Sequence, residues 1–242
     1  MEEIAGQPEP GDAFGRALLD RLTDNPSPVV IERDDGYVSL DGLDYLAGLG
    51  EIDMWALDRS HGRVLDVGAG AGRASLVLQE HGRDVVALDV SPGAAETCRR
   101  RGVRNVYTGT VEQAAADGLA TTFDTALMLG NNLGLLGSAD AAGTYLAALG
   151  DLLRPGGVIV GTCLDVYETD NPVHLRYHQR NRQRGRMAGQ LTLRVRYQQL
   201  ASSWFDWLAM SPDELAGLAQ PAGWRIADVR QGGVYAVVLA RA

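Results

Sequence analysis

The sequence predicts a doubly wound α/β fold, in which a mainly parallel sheet is covered by helices on both faces. Short apolar runs alternate with helical patterns from residue 63 onward, which is typical of βαβ units. A glycine-rich stretch at 66–72 joins the first of these runs to the helix that follows it. The chain has 242 residues, enough for one such domain of roughly 200–250 residues with insertions.

The N-terminal part is a separate pattern. A stretch rich in Pro, Gly and acids contains one helix, predicted at 12–22, with apolar residues four apart at Phe14, Leu18 and Leu22. Two apolar runs at 29–33 and 37–40 then flank Asp34-Asp35-Gly36, which predicts a β-hairpin. We expect residues 1–59 to form a helical and hairpin lid.

The predicted core spans residues 60–164 and 211–242. Its strands are predicted at 64–67, 85–89, 103–108, 123–129, 158–163, 224–229 and 234–240. Its helices are predicted at 73–81, 92–101, 139–153 and 212–219; Ser91 and Ser211 are expected to cap two of them, each followed by Pro.

An insertion at 165–210 interrupts the alternation after the fifth strand, and we expect it to form a substrate cap. It contains an alternating run at 191–197 and no acid between Asp170 and Asp206. Its arginines are Arg176, Arg180, Arg182, Arg184, Arg186, Arg194 and Arg196. In a protein of net charge −9 they either attract an anionic group of the substrate, or form a solvated face or an interface with the acidic body.

Composition excludes several classes of function. All 22 basic residues are arginine, so no lysine can form a Schiff base or grip a nucleotide phosphate. Two cysteines are too few for a disulfide framework or a thiolate metal site. The first residues lack a signal-peptide pattern and no apolar stretch is long enough to span a bilayer, so we expect a cytoplasmic protein. Net acidity argues against binding to nucleic acid, although the arginine cluster of the insertion keeps that question open, and we expect no membrane partner.

The glycine loop favours a nucleoside with a cationic tail. A dinucleotide fingerprint requires a third glycine where this chain has Arg73. Asp66 precedes the first glycine by two residues and suits a cation better than a diphosphate. Asp89 follows 23 residues later, at the end of the second strand, where a carboxylate can accept both hydroxyls of a ribose.

With these motifs the sequence resembles the class I S-adenosylmethionine-dependent methyltransferases, well over about 60–163 and loosely over 211–240. The resemblance implies a seven-stranded Rossmann-like sheet with its last strand antiparallel. The residues that it implies for S-adenosylmethionine binding are Asp66, Gly68, Ala69, Gly70, Asp89, Val90, Val111, Glu112, Leu129 and Gly130. Thr110 stands where the family usually has an aspartate toward the adenine, which leaves Val111 or Glu112 for that contact.

The fourth strand is followed by a Gly-Asn pair that is similar to the one in glycine and sarcosine N-methyltransferases. This match implies that Asn131 orients the methyl acceptor, while Asn132 either joins it or only satisfies the turn. Candidates for a catalytic base are Asp165, Tyr167, His174 and His178. His174 and His178 have the spacing of a metal pair, but without a third ligand we predict no metal site.

We therefore expect methyl transfer from S-adenosylmethionine to a small molecule or short peptide, with an anionic group possible and an amine acceptor slightly favoured. Such chemistry depends largely on alignment and desolvation. Two alternatives stay open. One is a protein that binds the cofactor without turnover; the other, disfavoured by the glycine spacing, is an NAD(P)-dependent oxidoreductase.

Overall fold

A computed structural model describes residues 8–23, 26–41 and 45–242. The strands are β1 (Glu9–Pro10), β2 (Val29–Arg33), β3 (Val38–Asp41), β4 (Val64–Val67), β5 (Val85–Asp89), β6 (Val106–Thr108), β7 (Phe123–Met128), β8 (Leu153–Leu164), β9 (Gln190–Tyr197), β10 (Leu200–Ala201), β11 (Phe205–Leu208), β12 (Trp224–Arg230) and β13 (Val234–Arg241). The α-helices are α1 (Ala13–Asp20), α2 (Glu51–Arg59), α3 (Arg73–Glu80), α4 (Pro92–Arg100), α5 (Val111–Ala114), α6 (Ala139–Leu152), α7 (Pro172–Gln183) and α8 (Pro212–Ala219).

The larger sheet, here called the core sheet, has seven strands in the order β12-β13-β8-β7-β4-β5-β6. Strand β13 is antiparallel to both neighbours, and the other neighbouring pairs are parallel. The predicted doubly wound sheet with an antiparallel last strand is therefore confirmed. The chain leaves β4 in one direction to β5 and β6, then returns to its other side with β7. A doubly wound sheet places its ligand at this reversal, beyond the carboxyl ends of the strands.

The central strands are apolar because helices cover both of their faces. Every residue of β4 and β5 is buried, which is typical of parallel strands with no solvent side. One apolar cluster, including Leu65 and Phe123, fills the side of α6 and α8. A second, including Leu57 and Leu78, fills the side of α2 and α3.

The second sheet combines the two regions that the sequence pattern separates. Its order is β1-β10-β9-β2-β3, with β11 also paired to β9. The hairpin strand β2 is antiparallel to β9 of the insertion, with Ile31 opposite Val195. The N-terminal part and residues 165–210 thus share one sheet in the described structure.

Helix α1 packs between the two sheets. Its N-cap Asp12 accepts hydrogen bonds from the Gly15 and Gly93 amides and from the Ser91 hydroxyl, which ties it to the start of α4. The backbones of Gly15 and Gly93 meet so closely that a Cβ on Gly93 would lie 2.5 Å from the Gly15 carbonyl carbon. Phe14 joins the apolar clusters on both sides of the helix.

Several elements differ from the sequence prediction. Strand β6 is shorter than predicted because Val103 is bound to the end of α4, its amide donating to the Cys98 carbonyl. Strand β8 begins at Leu153, so the Pro-Gly-Gly break belongs to the strand. Helices α2 and α7 were not predicted. Three polar or aromatic side chains of α7, those of Tyr177, His178 and Asn181, are buried.

Candidate cofactor and acceptor site

The glycine loop after β4 is held by hydrogen bonds from neighbouring strands. The amides of Gly68 and Ala69 both donate to the Leu88 carbonyl of β5. Gly68 has a φ of +69°, and a Cβ there would lie 2.5 Å from the Asn132 side-chain nitrogen. Gly70 has a φ of +56°, and a Cβ there would have Phe14 as its only close neighbour, at 4.0 Å. The loop thus requires glycine for its backbone conformation and leaves space above Gly70.

Asp89 at the end of β5 organises this loop. One carboxylate oxygen accepts from the Gly70 amide and the other from the Ser91 amide, each at 2.9 Å. The residue is buried, and burial is the main reason that its pKa is raised. Since each oxygen has a second lone pair, the carboxylate can still accept from a ligand.

Asp66 lies deeper in the sheet than the sequence pattern suggests. One of its oxygens accepts from both the amide and the hydroxyl of Ser75 on α3. Burial raises the pKa of Asp66 to about 6, the Ser75 hydrogen bonds oppose that rise, and the Asp89 charge adds to it. A cation brought near this site would favour its ionised form.

The turn after β7 gives its two asparagines different roles. The Asn132 side-chain amide donates to the Val67 and Gly68 carbonyls at 2.9 and 2.8 Å, so it fastens the glycine loop. Asn131 has a φ of +68° and its amide donates to the Thr162 hydroxyl of β8. The Asn131 side-chain oxygen is buried and has no hydrogen-bond partner among the described residues. Gly130 is exposed, and a Cβ there would meet nothing within 4 Å.

The remaining residues predicted for the cofactor lie in different environments. Val90, beside Asp89, is 64% exposed although it is apolar, as expected for a residue that a ligand covers. Thr110 caps α5 through the Gln113 amide. The Val111 side chain is buried in the core, whereas Glu112 is exposed, and an adenine contact at either residue stays a prediction. Leu129 likewise contributes its side chain to the core.

The four candidates for a catalytic base belong to two groups. Asp165 accepts from the Tyr167 amide, and the Tyr167 hydroxyl donates to Glu214 at 2.6 Å. The pKa of Tyr167 is raised, first by burial and then by that hydrogen bond. The other group contains His174 and His178 on α7.

Both histidines are neutral at pH 7. Burial, followed by the Arg33 charge, lowers the pKa of His174, and burial, followed by the Arg182 charge, lowers that of His178. The His174 Nδ1 lies 3.1 Å from an Arg33 nitrogen, so Nδ1 accepts and the proton is on Nε2. His178 is buried and forms no hydrogen bond with the described residues.

Most arginines of the insertion have an acidic or aromatic partner. Arg194 and Arg196 pair with Glu32 and Arg180 with Asp34, all three across segments, whereas Arg186 pairs with Asp206 inside the insertion. Arg182 lies over the Tyr167 ring, also inside the insertion. The expectation of an interface with the acidic part of the protein is therefore correct for three of the seven, and Arg176 and Arg184 have no ion-pair partner in the part of the chain that the structure describes.

Sequence reasoning missed residues from distant segments that bind or pack beside the predicted site residues and their loops. Phe14, Asp12 and Arg33 come from the N-terminal part, and Thr162 from the interior of β8. Only the apolar spacing of α1 signalled Phe14. The other three belong to pairings between distant segments, for which a single sequence has no local pattern.

The residues present fit a nucleoside with a cationic tail. The space above Gly70 and Gly130, the exposed Val90 and the unpartnered Asn131 oxygen surround the carboxyl ends of β4, β5 and β7. Among the described residues no three of His, Cys, Asp and Glu converge as metal ligands. None of the described helices has the length and apolar character needed to cross a membrane.

Comparison with known proteins agrees with this geometry. Residues 64–157 match a family model described as a methyltransferase domain. A methyltransferase from Bacteroides fragilis, solved with S-adenosyl-L-homocysteine, is 26% identical with a TM-score of 0.80, over 97% of this chain and 98% of that one. The 1,6-didemethyltoxoflavin-N1-methyltransferase of Burkholderia thailandensis is 26% identical with a TM-score of 0.53, over 79% and 78%. A methyltransferase from Methanosarcina mazei shares the fold at 15% identity and a TM-score of 0.61, over 81% and 99%.

Fold, glycine loop and family match together define a class I methyltransferase fold. Residues 64–157 form a methyltransferase domain, and the chain has the fold of the S-adenosylmethionine-dependent methyltransferases. The nicotinamide-dependent alternative is thereby set aside, in agreement with the glycine spacing.

Proposed function

We propose that this protein transfers a methyl group from S-adenosylmethionine to a nitrogen atom of a small molecule or short peptide. The observation that carries the proposal is the Asn131 side-chain oxygen, which is buried without a partner at the turn after β7. An unpaired buried acceptor costs about 1–3 kcal/mol, so a ligand that donates an N–H here regains that free energy. The N-methyltransferase from Burkholderia thailandensis is consistent with a nitrogen acceptor.

S-adenosylmethionine supplies the activated methyl group and is released as S-adenosylhomocysteine. In the proposed site Asp89 accepts the ribose hydroxyls, Val90 covers one face of the adenine, and Glu112 is available to the adenine edge. The loop from Gly68 to Gly70 approaches the methionine end, with Asp66 beneath it. Phe14 closes the site above Gly70, and Asn131 holds an acceptor N–H so that the nitrogen lone pair faces the methyl group.

Cofactor binding is tested with S-adenosylhomocysteine. At a hundredfold excess over its dissociation constant it should stabilise the protein by about 2.7 kcal/mol. Asp89→Asn should weaken binding by roughly 1–3 kcal/mol, because one oxygen that accepts hydrogen bonds becomes a donor. Calorimetry with Asp140→Asn, an exposed carboxylate on α6, provides the control. Equal affinities for all three proteins would remove Asp89 from the site.

The role of Asn131 is tested by methyl transfer from labelled S-adenosylmethionine to a panel of matched amines and alcohols. We expect the wild type to methylate amines. Asn131→Ala should lose about ten- to hundredfold in kcat/KM, with its affinity for S-adenosylhomocysteine unchanged. Asn132→Ala is the matched variant, and it should instead weaken cofactor binding because Asn132 fastens the glycine loop. Transfer to alcohols alone, or full activity of Asn131→Ala, would contradict the proposal. Cofactor binding without transfer to any member of the panel would favour the binding protein without turnover.

Among the candidate bases we infer that His178 keeps the acceptor neutral. Tyr167 is bound to Glu214, and the His174 Nδ1 is occupied by Arg33. His178 has a lowered pKa, so the neutral form that accepts a proton prevails at pH 7. The activity of the wild type should rise with pH through a pKa below 6.5, and His178→Gln should lose this limb. If the activity of His178→Gln depends on pH as that of the wild type does, His178 is not the base, and Asp165 is the next candidate to test.

A further inference from the structure

A groove of about 380 Å³ lies between the β2–β3 turn and the first turns of α7, outside the residues assigned above to methyl transfer. Asp35, Gly36 and Tyr37 line it on the turn, and Val173, Arg176, Tyr177 and Arg180 line it on the helix. Its walls combine aromatic rings with arginines. A groove of this volume is in the range of small-molecule sites.

The aromatic walls are fixed by a buried arginine. Arg33 is 4% exposed and forms two hydrogen bonds with the Asp35 carboxylate, at 2.8 and 2.9 Å. Its guanidinium lies 4.8 Å from the Tyr37 ring centre and 4.0 Å from that of Tyr177. The rings therefore keep their positions whether or not a ligand is present, and the Asp35 charge is already compensated.

The groove has more cationic than anionic groups. Arg33, Arg176 and Arg180 face Asp34 and Asp35, an excess of one positive charge in a protein of net charge −9. Asp34 accepts from both Arg180 and the Tyr177 hydroxyl through the same oxygen. Arg176 is exposed and has no ion-pair partner among the described residues, and the Arg180 Nε is buried without any hydrogen-bond partner.

We propose that this groove binds a small planar molecule that carries an oxyanion, either a carboxylate or a phosphate. Arg176, which has no ion-pair partner among the described residues, and Arg180 one turn further along α7 supply cationic N–H donors, and the half-buried Tyr37 ring supplies flat apolar surface beside them. A metal cation is disfavoured because both carboxylates nearby are bound to arginine. The proposal rests on the groove alone and is independent of the methyl acceptor.

The proposal is tested by measuring binding of three small molecules to the full chain with calorimetry and ligand-observed NMR. They are 4-hydroxybenzoate, phenyl phosphate and the neutral 4-hydroxybenzamide. We expect at least one anion to bind ten times more tightly than the amide, and the better anion identifies the source of the oxyanion. Arg176→Gln with Arg180→Gln should reduce that affinity at least tenfold. The control combines Arg184→Gln with Arg225→Gln, which changes the net charge by the same amount at exposed positions outside the groove. This control should change the anion's affinity less than twofold.

Arg176→Gln alone provides a second variant, because this exposed side chain has no described ion pair to lose on substitution. It should reduce the anion's affinity severalfold while the melting temperature stays at the wild-type value. Equal binding of anion and amide, equal losses in the two double variants, or no binding of either anion at millimolar concentration would overturn the proposal.

Discussion

In the core sheet, β4 and β5 are buried along their whole lengths, whereas in the second sheet only three of the eight residues of β9 are buried. Four of the six neighbouring pairs in the core sheet join strands that are consecutive in the chain, three of them through an α-helix, so most contacts form between segments close in sequence. The second sheet instead joins β2 to β9, more than 150 residues apart, and uses ion pairs on Glu32 to do so. Burial stabilises the first sheet, and long-range pairing of complementary segments stabilises the second.

The difference bears on function because each sheet supplies a different part of the site. The core sheet holds the residues proposed for the cofactor on loops fixed by side-chain-to-backbone hydrogen bonds, such as those of Asn132 and Asp89. Helix α7 supplies His178, the proposed base, and, with the turn of the second sheet, the separate groove whose arginines are proposed to bind an oxyanion. Helix α1 connects the two, since Asp12 binds the start of α4 while Phe14 contacts both sides.

The largest expected effect concerns carboxylates, which the two sheets treat differently. Glu32 of the second sheet is paired with arginine, whereas Asp66 of the core sheet is buried with only Ser75 as its partner. The folded-state pKa of Asp66, about 6, exceeds its unfolded value of about 3.9. Its protonated form therefore contributes stability below pH 4, and this contribution is lost as the pH rises through 6.

Asp66→Asn keeps an acceptor for Ser75 without the charge. Between pH 4 and 7 the free energy of unfolding of the wild type should fall relative to this variant by about 2 kcal/mol. Urea titrations across that range measure the difference, and the exposed Asp151→Asn should follow the wild type. If the free energy of unfolding depends on pH in the same way for the wild type and Asp66→Asn, the pKa of Asp66 is not raised in the folded state.

A second prediction breaks the connection between the two sheets. Gly93→Ala places a Cβ against the Gly15 backbone, which cannot move aside as a flexible side chain can. The loss should be about 1–3 kcal/mol, and hydrogen exchange of the second sheet should rise more than that of the core sheet. Gly143→Ala on α6 has open space and should instead stabilise by about 0.5–1 kcal/mol. Uniform loss of protection in both sheets would mean that they open as one unit.

The smallest expected effect concerns an ion pair within the second sheet. Arg194→Gln removes the 2.8 Å contact with Glu32, and because both side chains are about one-fifth exposed the loss should be about 0.5–1 kcal/mol. Raising the salt concentration should reduce the difference from the wild type. Arg225→Gln, on an exposed position of β12, should change stability less. An effect of Arg194→Gln that salt leaves unchanged would indicate that packing on Trp204, which Arg194 covers, matters more than charge.

The sequence by itself determined the core sheet and the position of the glycine loop at which the cofactor is proposed to bind. Continuous apolar runs are needed wherever helices cover both faces of a strand, and a strand-to-helix turn such as Gly68 to Gly72 needs glycine, so both requirements appear as local patterns. The position of Asp89 at the end of a strand followed from the same patterns. The different roles of Asn131 and Asn132 did not, because they depend on which neighbour each amide reaches.

Only the tertiary structure decided how the N-terminal part and the insertion pair with each other. The insertion shows seven arginines, but which of them are neutralised depends on Glu32 and Asp34, which lie far away in the sequence. The alternating sequence of β9 could pair with any free edge strand. Its partner is β2, and α1 packs against both strands in one apolar cluster. Local patterns record which face of a segment is buried, whereas the identity of the segment that buries it is a property of the assembled fold.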